Sequence, residues 1–451
     1  MFEIRKPAVA LTGLACPLLA LQGIGLVLQR HGNLPWFVAV ALLQGIVYVI
    51  AVWVVCHAQP RRAVLALVLI FAGLLRVSIL FSPPFLSDDI YRYIWDGRVQ
   101  AAGVNPYRFV PSGKELAPLR DDLIYPRINR RDYAHTIYPP LAQVIFLSVT
   151  RISESVIWMK TVMLGFEALA IWLLIKLLVA SGLPPERVLI YAWHPLAVWE
   201  IASSGHIESV VVALVALALW AKKRELSALT GAALAGGALI KFFPAVLFAA
   251  LYRRRDWQMP VTFAAIALLA YLPYASAGLG AFGFLPGYFQ EEGLLQGWGI
   301  FPLSAAARLF GLPQSSGGAY LVFAAAVLLV MGLWSIVRRP LSGDGYLADA
   351  IRLALAFTLL VSPHYPWYFL WLVPILCLRL YVPALYLTVA SFVLYELLLR
   401  TSGPVQFRIN LLLYLPFALL GFVSWLSRRQ SEGQSLRADL AEESRSATCS
   451  K

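Results

Sequence analysis

Residues 7–28 read PAVALTGLACPLLALQGIGLVL, an uncharged run that follows Met1-Phe2-Glu3-Ile4-Arg5-Lys6. A helix needs about 20 apolar residues to cross the hydrocarbon core of a bilayer. The run is longer than the apolar core of a signal peptide, and it has no convincing small-residue cleavage site. We therefore interpret it as a first transmembrane helix that is retained in the protein.

Similar apolar segments recur along the chain. Of the 451 residues, 60% are hydrophobic and 14% are charged, and the mean hydropathy is +0.72. These values exclude a water-soluble enzyme and predict an all-α, polytopic membrane protein with about 12–14 transmembrane helices. Segments of only 10–15 residues are expected to be half-helices or re-entrant elements. The predicted membrane segments are 7–28, 36–56, 63–82, 137–150, 156–180, 188–203, 207–221, 226–240, 243–252, 260–276, 317–337, 347–362, 366–380, 382–399 and 409–426.

The formal net charge of +13 comes largely from arginines in short loops between apolar segments. Nucleic-acid binding would need a basic domain with interleaved aromatic residues, so we expect no nucleic-acid partner. The distribution follows the positive-inside rule instead. Neither a disulfide framework nor a zinc site is supported by the scattered cysteines, which are Cys16, Cys56, Cys377 and Cys449.

The basic residues also orient the chain. Arg5 and Lys6 on the cytoplasmic side place residues 83–136 on the extracytoplasmic side after three crossings. Counts from the two ends of the chain disagree by one crossing around residues 137–187. The short segment 137–150 is the expected partial crossing.

These assignments divide the chain into a membrane domain and a tail. Residues 1–426 form the transmembrane domain. Within it, 83–136 is a first large extracytoplasmic loop that carries interfacial helices, and 277–316 is a second extracytoplasmic loop. Residues 427–451 are polar and serine-rich, which is typical of a disordered cytoplasmic tail.

The densest polar cluster, residues 87–98, comes directly after the third apolar segment and reads SDDIYRYIWDGR. On a helix, Asp89, Arg92 and Asp96 share one face and can pair with one another. The same helix would turn three apolar side chains toward the membrane interface. These are Ile90, Ile94 and Trp95.

The adjacent carboxylates Asp88 and Asp89 are the candidate catalytic residues. A sugar transferase at a membrane surface needs a carboxylate to deprotonate an acceptor hydroxyl, or to hold a metal ion over a phosphate. A structural role stays open, because Ser87 is a good helix N-cap and first-turn carboxylates complement the helix dipole. Arg92, Asp96 and Arg98 are the candidate substrate ligands beside the pair.

Further ionisable residues lie among apolar neighbours. Such groups cost about 2.5–3.5 kcal/mol on insertion scales, and they usually face a cavity or a partner. His206 and Glu208 are therefore candidates for lining a substrate site, with a paired polar turn at a helix end as the alternative. Lys241 precedes Phe242-Phe243-Pro244, where the helix should break. A lysine there can meet a lipid phosphate, and the alternative is snorkelling to headgroups.

Residues 362–368 read SPHYPWY and connect two apolar segments. Trp and Tyr at this depth are also typical of the aromatic belt of any membrane protein. Because sugars pack on aromatic rings and two prolines fix the turn, we predict that His364 and Tyr365 face the substrate.

These motifs, in this order, resemble the GT-C superfamily of membrane glycosyltransferases. Residues 87–98, together with GVNPY at 103–107, look like the first extracytoplasmic loop of bacterial polyprenyl-phosphate-mannose-dependent mannosyltransferases. The stretch 362–371 is similar to their Pro-Trp-Tyr turn. His194-Pro195-Leu196, residues 205–209 (GHIES), Lys241 and Pro244 are also similar to the catalytic subunit of the first mannosyltransferase of GPI-anchor synthesis. The matches span about residues 63–375.

The resemblance implies a GT-C-like helical bundle and a catalytic aspartate at Asp88 or Asp89. In the family, this aspartate is held to act as a base or a metal ligand. The chain has adjacent aspartates instead of the strict Asp-x-Asp form, so the resemblance does not decide which one acts. It also has His194-Pro195 where relatives commonly have Asn-Pro, and we assign this pair no chemical role.

We predict a glycosyltransferase that moves a hexose, most simply mannose, from a polyprenyl-phosphate donor to a glycan or lipid acceptor. The anomeric carbon would be inverted, and the site would face the outside of a bacterial inner membrane. Lys241, with Arg92 or Arg98, would hold the departing phosphate. A divalent metal ion at Asp88 and Asp89 is the one candidate cofactor.

Other readings stay open from the sequence. The donor could carry glucose, arabinose or an aminosugar in place of mannose. A transporter or flippase for lipid-linked glycans is the alternative of a different class, although the chain has no internal repeat. A catalytically silent partner subunit is a third.

Overall fold

The computed structural model describes residues 6–59, 62–311, 316–338, 345–398 and 403–449. Within these ranges the chain forms helices and no β-strand, which confirms the predicted all-α fold. Some predicted features extend beyond the described residues. These are residues 1–5 of the N-terminus, 312–315 of the second loop, 399 of one apolar segment and 450–451 of the tail.

The first half of the chain contains four long helices together with shorter ones. The α-helices are α1 (Pro7–Arg30), α2 (Leu34–His57), α3 (Arg62–Leu80), α4 (Asp89–Ala101), α5 (Pro140–Thr150), α6 (Val156–Ala180), α7 (Leu189–Ala192), α8 (Pro195–Ala197) and α9 (Glu208–Lys223). A π-helix follows α8 at Val198–Ser203, and 3₁₀ helices span Lys114–Leu119, Tyr125–Arg127 and Pro185–Val188.

The second half is more broken. Its α-helices are α10 (Ser227–Ala238), α11 (Phe248–Leu251), α12 (Gln258–Tyr271), α13 (Leu285–Glu291), α14 (Phe301–Phe310), α15 (Gly317–Arg338), α16 (Gly345–Val361), α17 (Val373–Leu378), α18 (Val382–Ala390) and α19 (Gly403–Cys449). The 3₁₀ helices are Phe243–Leu247, Leu272–Phe282, Pro366–Leu372 and Ser391–Leu398.

Seven helical stretches of the described chain are long and apolar enough to cross a membrane. They are Pro7–Arg30, Leu34–His57, Arg62–Leu80, Val156–Ala180, Gln258–Glu291, Gly317–Arg338 and Val405–Ser427. The protein is therefore a polytopic membrane protein. Other apolar segments are divided into shorter helices, so the figure of about 12–14 crossings stays a prediction.

Helix α5 is the short element expected near residues 137–150. Its 11 residues extend for about 16 Å, whereas the hydrocarbon core is about 30 Å thick. A helix of this length cannot cross alone. Helix α5 packs against α4 and α6 on one side and exposes Val144 and Ser148 on the other, and the partial crossing stays a prediction.

The first loop differs from the prediction in one respect. Ile90, Ile94 and Trp95 do not enter the membrane interface, because α5 and α6 cover α4 and leave these side chains at most 1% exposed. The sequence pattern identified the apolar face of α4 correctly but not the protein surface that covers it. Beyond α4, the loop contains only 3₁₀ turns.

Helix α19 runs through Ser427, the residue at which we expected a disordered tail to begin. Residues 427–449 continue this helix, and the tail boundary stays a prediction.

The centre of the bundle is the stretch from α7 to the start of α9. Nearly every side chain between Leu189 and Ser209 is buried, including Trp193 and Trp199. The indole of Trp199 donates a hydrogen bond to Gln44 of α2 at 2.9 Å. Short helices and a π-helix, rather than one continuous helix, therefore form the core beneath the loops.

A buried ion pair joins helices α3, α6 and α7. The guanidinium of Arg76 in α3 donates two hydrogen bonds of 2.7 Å to the carboxylate of Glu167 in α6. A third bond of 2.7 Å reaches the carbonyl oxygen of Ala192 at the end of α7. The two side chains are 8% and 1% exposed, so each charge depends on the other for compensation.

We expect Glu167→Gln to lower the free energy of unfolding by about 3–5 kcal/mol, because it leaves the Arg76 charge buried and unpaired. Thermal unfolding in detergent, followed by tryptophan fluorescence, measures the change. The matched control is Glu154→Gln, which breaks a partly exposed pair with Arg98 and should cost about 0–1 kcal/mol. Equal losses in the two variants would contradict the buried-pair argument.

Candidate active site

A cavity of about 760 Å³ opens beside the loops, and we call it the central cavity. Four parts of the chain form its walls. The first loop supplies Asp88, Asp89, Arg92, Asn129 and Arg130, and the break between α10 and α11 supplies Lys241 and Phe243. The second loop supplies Tyr288 and Glu292, and the C-terminal part supplies Leu321, Phe357, His364, Tyr365, Trp367 and Tyr368.

Asp88 and Asp89 lie at the N-terminus of α4, where the helix dipole favours negative charge. The amide of Asp89 donates to the hydroxyl of Ser87 at 3.2 Å, but the N-cap residue of α4 is Asp88 and not Ser87. The Asp89 carboxylate accepts a hydrogen bond of 2.8 Å from the side-chain amide of Asn129. It therefore pairs with Asn129 and not with Arg92, which we had placed on the same face.

Asp88 is more open to the cavity than its neighbour. Partial burial raises the pKa of its carboxyl above the ordinary value, and the charge of Asp89 raises it further, while Arg127 opposes both effects. A carboxylate with a raised pKa is a stronger base. Asp88 is therefore suited to accept a proton, whereas the Asp89 carboxylate already accepts a hydrogen bond from Asn129.

Arg92 and Asp96 form a buried ion pair one helical turn apart, with 2.8 Å between Nε and Oδ1. Arg92 reaches the cavity wall and donates to the carbonyl oxygen of Ala134 at 3.2 Å. Asp96 also accepts a bond of 3.1 Å from Gln143, and it is not part of the cavity wall. Asp96 therefore serves Arg92 as a counter-ion and does not face the substrate space.

Arg98 lies away from the central cavity. Its guanidinium is held at 2.7 Å by both Asp121 and Glu154. Burial would raise the pKa of Asp121, but hydrogen bonds from Arg98 and from two backbone amides outweigh it and lower this pKa to about 2. The structure does not bring Arg98 to the other predicted site residues, because these acidic partners fix it on the far side of α4.

Lys241 sits at a break between helices, as the sequence predicted. Helix α10 ends at Ala238, and Pro244 opens the following 3₁₀ helix. Gly231 brings α10 close to α12, since a Cβ atom there would lie 2.3 Å from the carbonyl oxygen of Met259. The break places Lys241 in the cavity wall, where the residue is 9% exposed.

Glu208 supplies the counter-charge of Lys241, with 2.5 Å between Nζ and Oε1. Behind this pair, His206 lies between two carboxylates. Its Nδ1 is 3.4 Å from Glu208 and its Nε2 is 3.5 Å from Glu200. His206 and Glu208 therefore lie behind the cavity wall, against the wall residues Lys241 and Trp367, so the paired arrangement weighed as the alternative describes them better.

A second cluster joins the turn at residue 364 to the second loop. Nδ1 of His364 is 2.6 Å from the carboxylate of Glu292, and Nε2 is 2.7 Å from the carbonyl oxygen of Gly299. The hydroxyl of Tyr365 donates to Glu292 at 3.1 Å. Both predicted residues of this turn thus line the cavity, and they hold a carboxylate there.

The aromatic residues of the turn stack on one another. The Trp367 ring stacks on the Tyr365 ring at 4.6 Å and on the His206 ring at 4.3 Å. Rings on both sides leave Trp367 without a free face for a sugar. The expectation that sugars pack here can thus apply only to the remaining aromatic rings of the wall.

Sequence reasoning missed several residues of the cavity wall. Glu292 carried a signal, an acidic residue in a loop rich in glycine and aromatics, but its partner His364 is distant in the sequence. Arg130 pairs with Glu291 at 2.5 Å and so ties the first loop to the second. Its φ of 52° is unusual for a residue with a side chain and is not visible in the sequence. The other missed residues are Asn129, Tyr288, Trp367 and Tyr368.

The described residues contain no group of three or more His, Cys, Asp and Glu side chains able to hold a metal ion. A magnesium ion can bind through one or two carboxylates if substrate phosphates and waters complete its shell. Asp88 and Asp89 fit a cation only in that way. The metal role of the pair stays a prediction.

The His364–Glu292 pair predicts a pH-dependent stability. Burial lowers the pKa of His364, but the hydrogen bond and charge of Glu292 outweigh it and raise this pKa above the usual 6.5. The stabilisation is therefore complete below about pH 6.5 and is lost as the pH rises through the folded-state pKa. The melting temperature of His364→Gln should fall furthest below that of the wild type at about pH 6 and approach it toward pH 9.

The control is His57→Gln at the exposed end of α2. It should leave the pH profile of the melting temperature as in the wild type. A His364→Gln deficit that does not change with pH would show that the imidazole is neutral in the folded protein.

Residues 8–253 match the family described as alpha-(1->6)-mannopyranosyltransferase, N-terminal domain. No curated protein and no solved structure is significantly similar to the chain. The matched region supplies Asp88, Asp89, Arg92 and Lys241 of the cavity, and Glu292 and His364 lie beyond it. It covers more than half of the chain, and the GT-C resemblance agrees with it. The chain therefore belongs to the alpha-(1→6)-mannopyranosyltransferase family of membrane glycosyltransferases.

Proposed function

We propose that the protein transfers a mannosyl group from a polyprenyl-phosphate donor to a hydroxyl of a glycan or glycolipid, at the extracytoplasmic face of a bacterial cell membrane. The observation that carries the proposal is that Asp88 and Lys241 share one cavity with an apolar extension. A base, a cation and a lipid-compatible wall are the groups that this reaction needs.

The apolar extension supports a lipid-linked donor. Leu321 and Leu328 of α15 and Phe357 and Val361 of α16 line it. Each pair lies on one helix face, because the spacings are seven and four residues. Leu328 is near the middle of α15, a membrane-spanning candidate, so the wall reaches to the depth of lipid chains.

The proposed side of the membrane follows from the first three helices. Each is long enough to cross, and we propose that all three do, which would put Asp88 on the side opposite to Lys6. The positive-inside rule places Lys6 in the cytoplasm, and the cavity then faces outward.

The proposed chemistry is a single displacement. The acceptor oxygen attacks the anomeric carbon, the bond from that carbon to the phosphate oxygen breaks, and the acceptor proton passes to Asp88. The polyprenyl phosphate departs with the electron pair, and Lys241 stabilises the added charge. Displacement inverts the anomeric carbon, so an α-(1→6) product of the kind in the family description requires a β-linked donor.

Lys241 can bind the phosphate because its position is already fixed. The ammonium group is 4.6 Å from the centre of the Tyr368 ring and is held by Glu208, so little further ordering is needed when the donor arrives. Arg92 is less available, since Asp96 and the carbonyl oxygen of Ala134 take up part of its guanidinium. We therefore assign the main phosphate contact to Lys241.

Asp88→Asn should lower kcat about 10²- to 10⁴-fold with little change in donor KM, because the amide cannot take the acceptor proton. The measurement is transfer from radiolabelled polyprenyl-phosphate-mannose in membranes with matched protein levels. Glucose and arabinose donors run beside it test the sugar.

Asp122→Asn is the matched control, since Asp122 is exposed in the same loop and is not part of the cavity wall. Unchanged turnover in Asp88→Asn would remove the proposed base. Transfer that EDTA abolishes and Mg²⁺ restores would assign the aspartate pair to a metal instead.

Lys241→Gln should weaken binding of polyprenyl phosphate about 10- to 100-fold, because a hydrogen bond between two charged groups is lost. Equilibrium binding of labelled polyprenyl phosphate to protein in detergent measures it. The control is Lys223→Gln at the opposite end of α9 from Glu208, about 22 Å away along the helix. Equal affinities in the wild type and Lys241→Gln would contradict the phosphate role.

A further inference from the structure

Glu292 is a cavity carboxylate that the proposed chemistry does not use. It follows α13 in the second loop, outside the region that matches the family, and its side chain is 9% exposed. The same cavity holds Asp88 and Lys241. A largely buried charge in a substrate cavity calls for a partner or a ligand.

The carboxylate is held in a fixed orientation. His364 contacts Oε2 at 2.6 Å, and the Tyr365 hydroxyl donates to Oε1 at 3.1 Å. The other imidazole nitrogen faces the carbonyl oxygen of Gly299, so His364 is itself anchored. Arg130, at 3.8 Å, adds positive charge without a hydrogen bond. The two carboxylate oxygens therefore occupy defined positions in the wall.

The carboxylate still has hydrogen-bonding capacity. An ionised carboxylate has about four acceptor sites, and the described residues fill two of them on Glu292. The negative carboxylate repels a phosphate and forms no favourable contact with a lipid chain. Uncharged hydrogen-bond donors, such as sugar hydroxyls, can fill its two remaining acceptor sites.

We propose that Glu292 binds hydroxyl groups of a pyranose in the central cavity and determines which sugar is accepted. The proposal rests on the transferase function above. The pyranose is either the mannosyl group of the donor or a sugar of the acceptor, and the two present the same hydroxyl chemistry to Glu292.

Deoxy sugars test the contact directly. A site built to hydrogen-bond a hydroxyl strongly rejects the analogue that lacks it. For the wild type, removal of the hydroxyl bound by Glu292 should lower kcat/KM about 10- to 100-fold. In Glu292→Gln, removal of the same hydroxyl should lower kcat/KM by a factor about 10-fold smaller than in the wild type, or not at all, because the charged acceptor is already gone.

The two sources of the sugar are separated by two arms. One arm uses polyprenyl-phosphate-mannose donors deoxygenated singly at positions 2, 3, 4 and 6 with a natural acceptor. The other uses deoxygenated acceptors with the natural donor. If Glu292→Gln changes the ranking of the deoxy donors, Glu292 binds the mannosyl group of the donor. If it changes the ranking of the deoxy acceptors, Glu292 binds a sugar of the acceptor.

Glu291→Gln is the matched control, because the neighbouring carboxylate pairs with Arg130 and is not part of the cavity wall. It should keep the wild-type ranking of the deoxy sugars. The ranking is a ratio within one preparation, so a smaller folded fraction does not alter it. If Glu292→Gln is too slow to rank, Tyr365→Phe removes one hydrogen bond to Oε1 and should shift the ranking in the same direction.

The outcomes are distinct. If the wild type transfers no sugar from any lipid donor, the proposed function fails. If the wild type transfers mannose and the Glu292 and Tyr365 variants keep its ranking in both arms, Glu292 binds no sugar hydroxyl and this inference is overturned.

Discussion

The need to compensate charge within a helical bundle governs the interior of this protein. Lys241 and Glu208 are buried at a depth where hydration is lost, and each would be costly to bury alone. His206 and Glu200 extend the pair into a row of buried ionisable side chains that ends at the hydroxyl of Tyr395. Of these side chains, Lys241 lines the cavity, where Arg92 and Arg130 also contribute positive charge.

Broken helices make this arrangement possible. In a continuous helix the backbone groups hydrogen-bond to one another, so only side chains can reach a site. A break in the helix can place a residue such as Lys241 in the cavity wall. Helix α10 ends at Ala238 and Pro244 lies in the first turn of the next 3₁₀ helix, while Gly231 allows close packing against α12. The central core is likewise built of short helices and a π-helix, and each break between them lets the chain change direction between buried elements.

The cavity has two halves of different origin. The half of the cavity wall that contains Asp88 and Lys241 comes from the region that matches the mannosyltransferase family. The half with Glu292 and His364 comes from the remainder of the chain. Arg130 joins the two halves through Glu291. In the function that we propose, the transfer chemistry and the discrimination between sugars therefore reside in different parts of the chain.

The amino-acid sequence by itself determined the membrane class, the helical fold, the break at Lys241 and the position of the aspartate pair. Each depends on local composition or on residues close together in the chain, such as Pro244 after Lys241. The resemblance to membrane mannosyltransferases likewise followed from ordered short motifs.

Only the tertiary structure decided which of these residues face one cavity. Arg98 was predicted beside Arg92, but contacts with Asp121 and Glu154 turn it away. Glu292 gained its place through His364, 72 residues further along the chain. Such pairings depend on how distant helices and loops pack in three dimensions, and helical periodicity reports only the face of one helix.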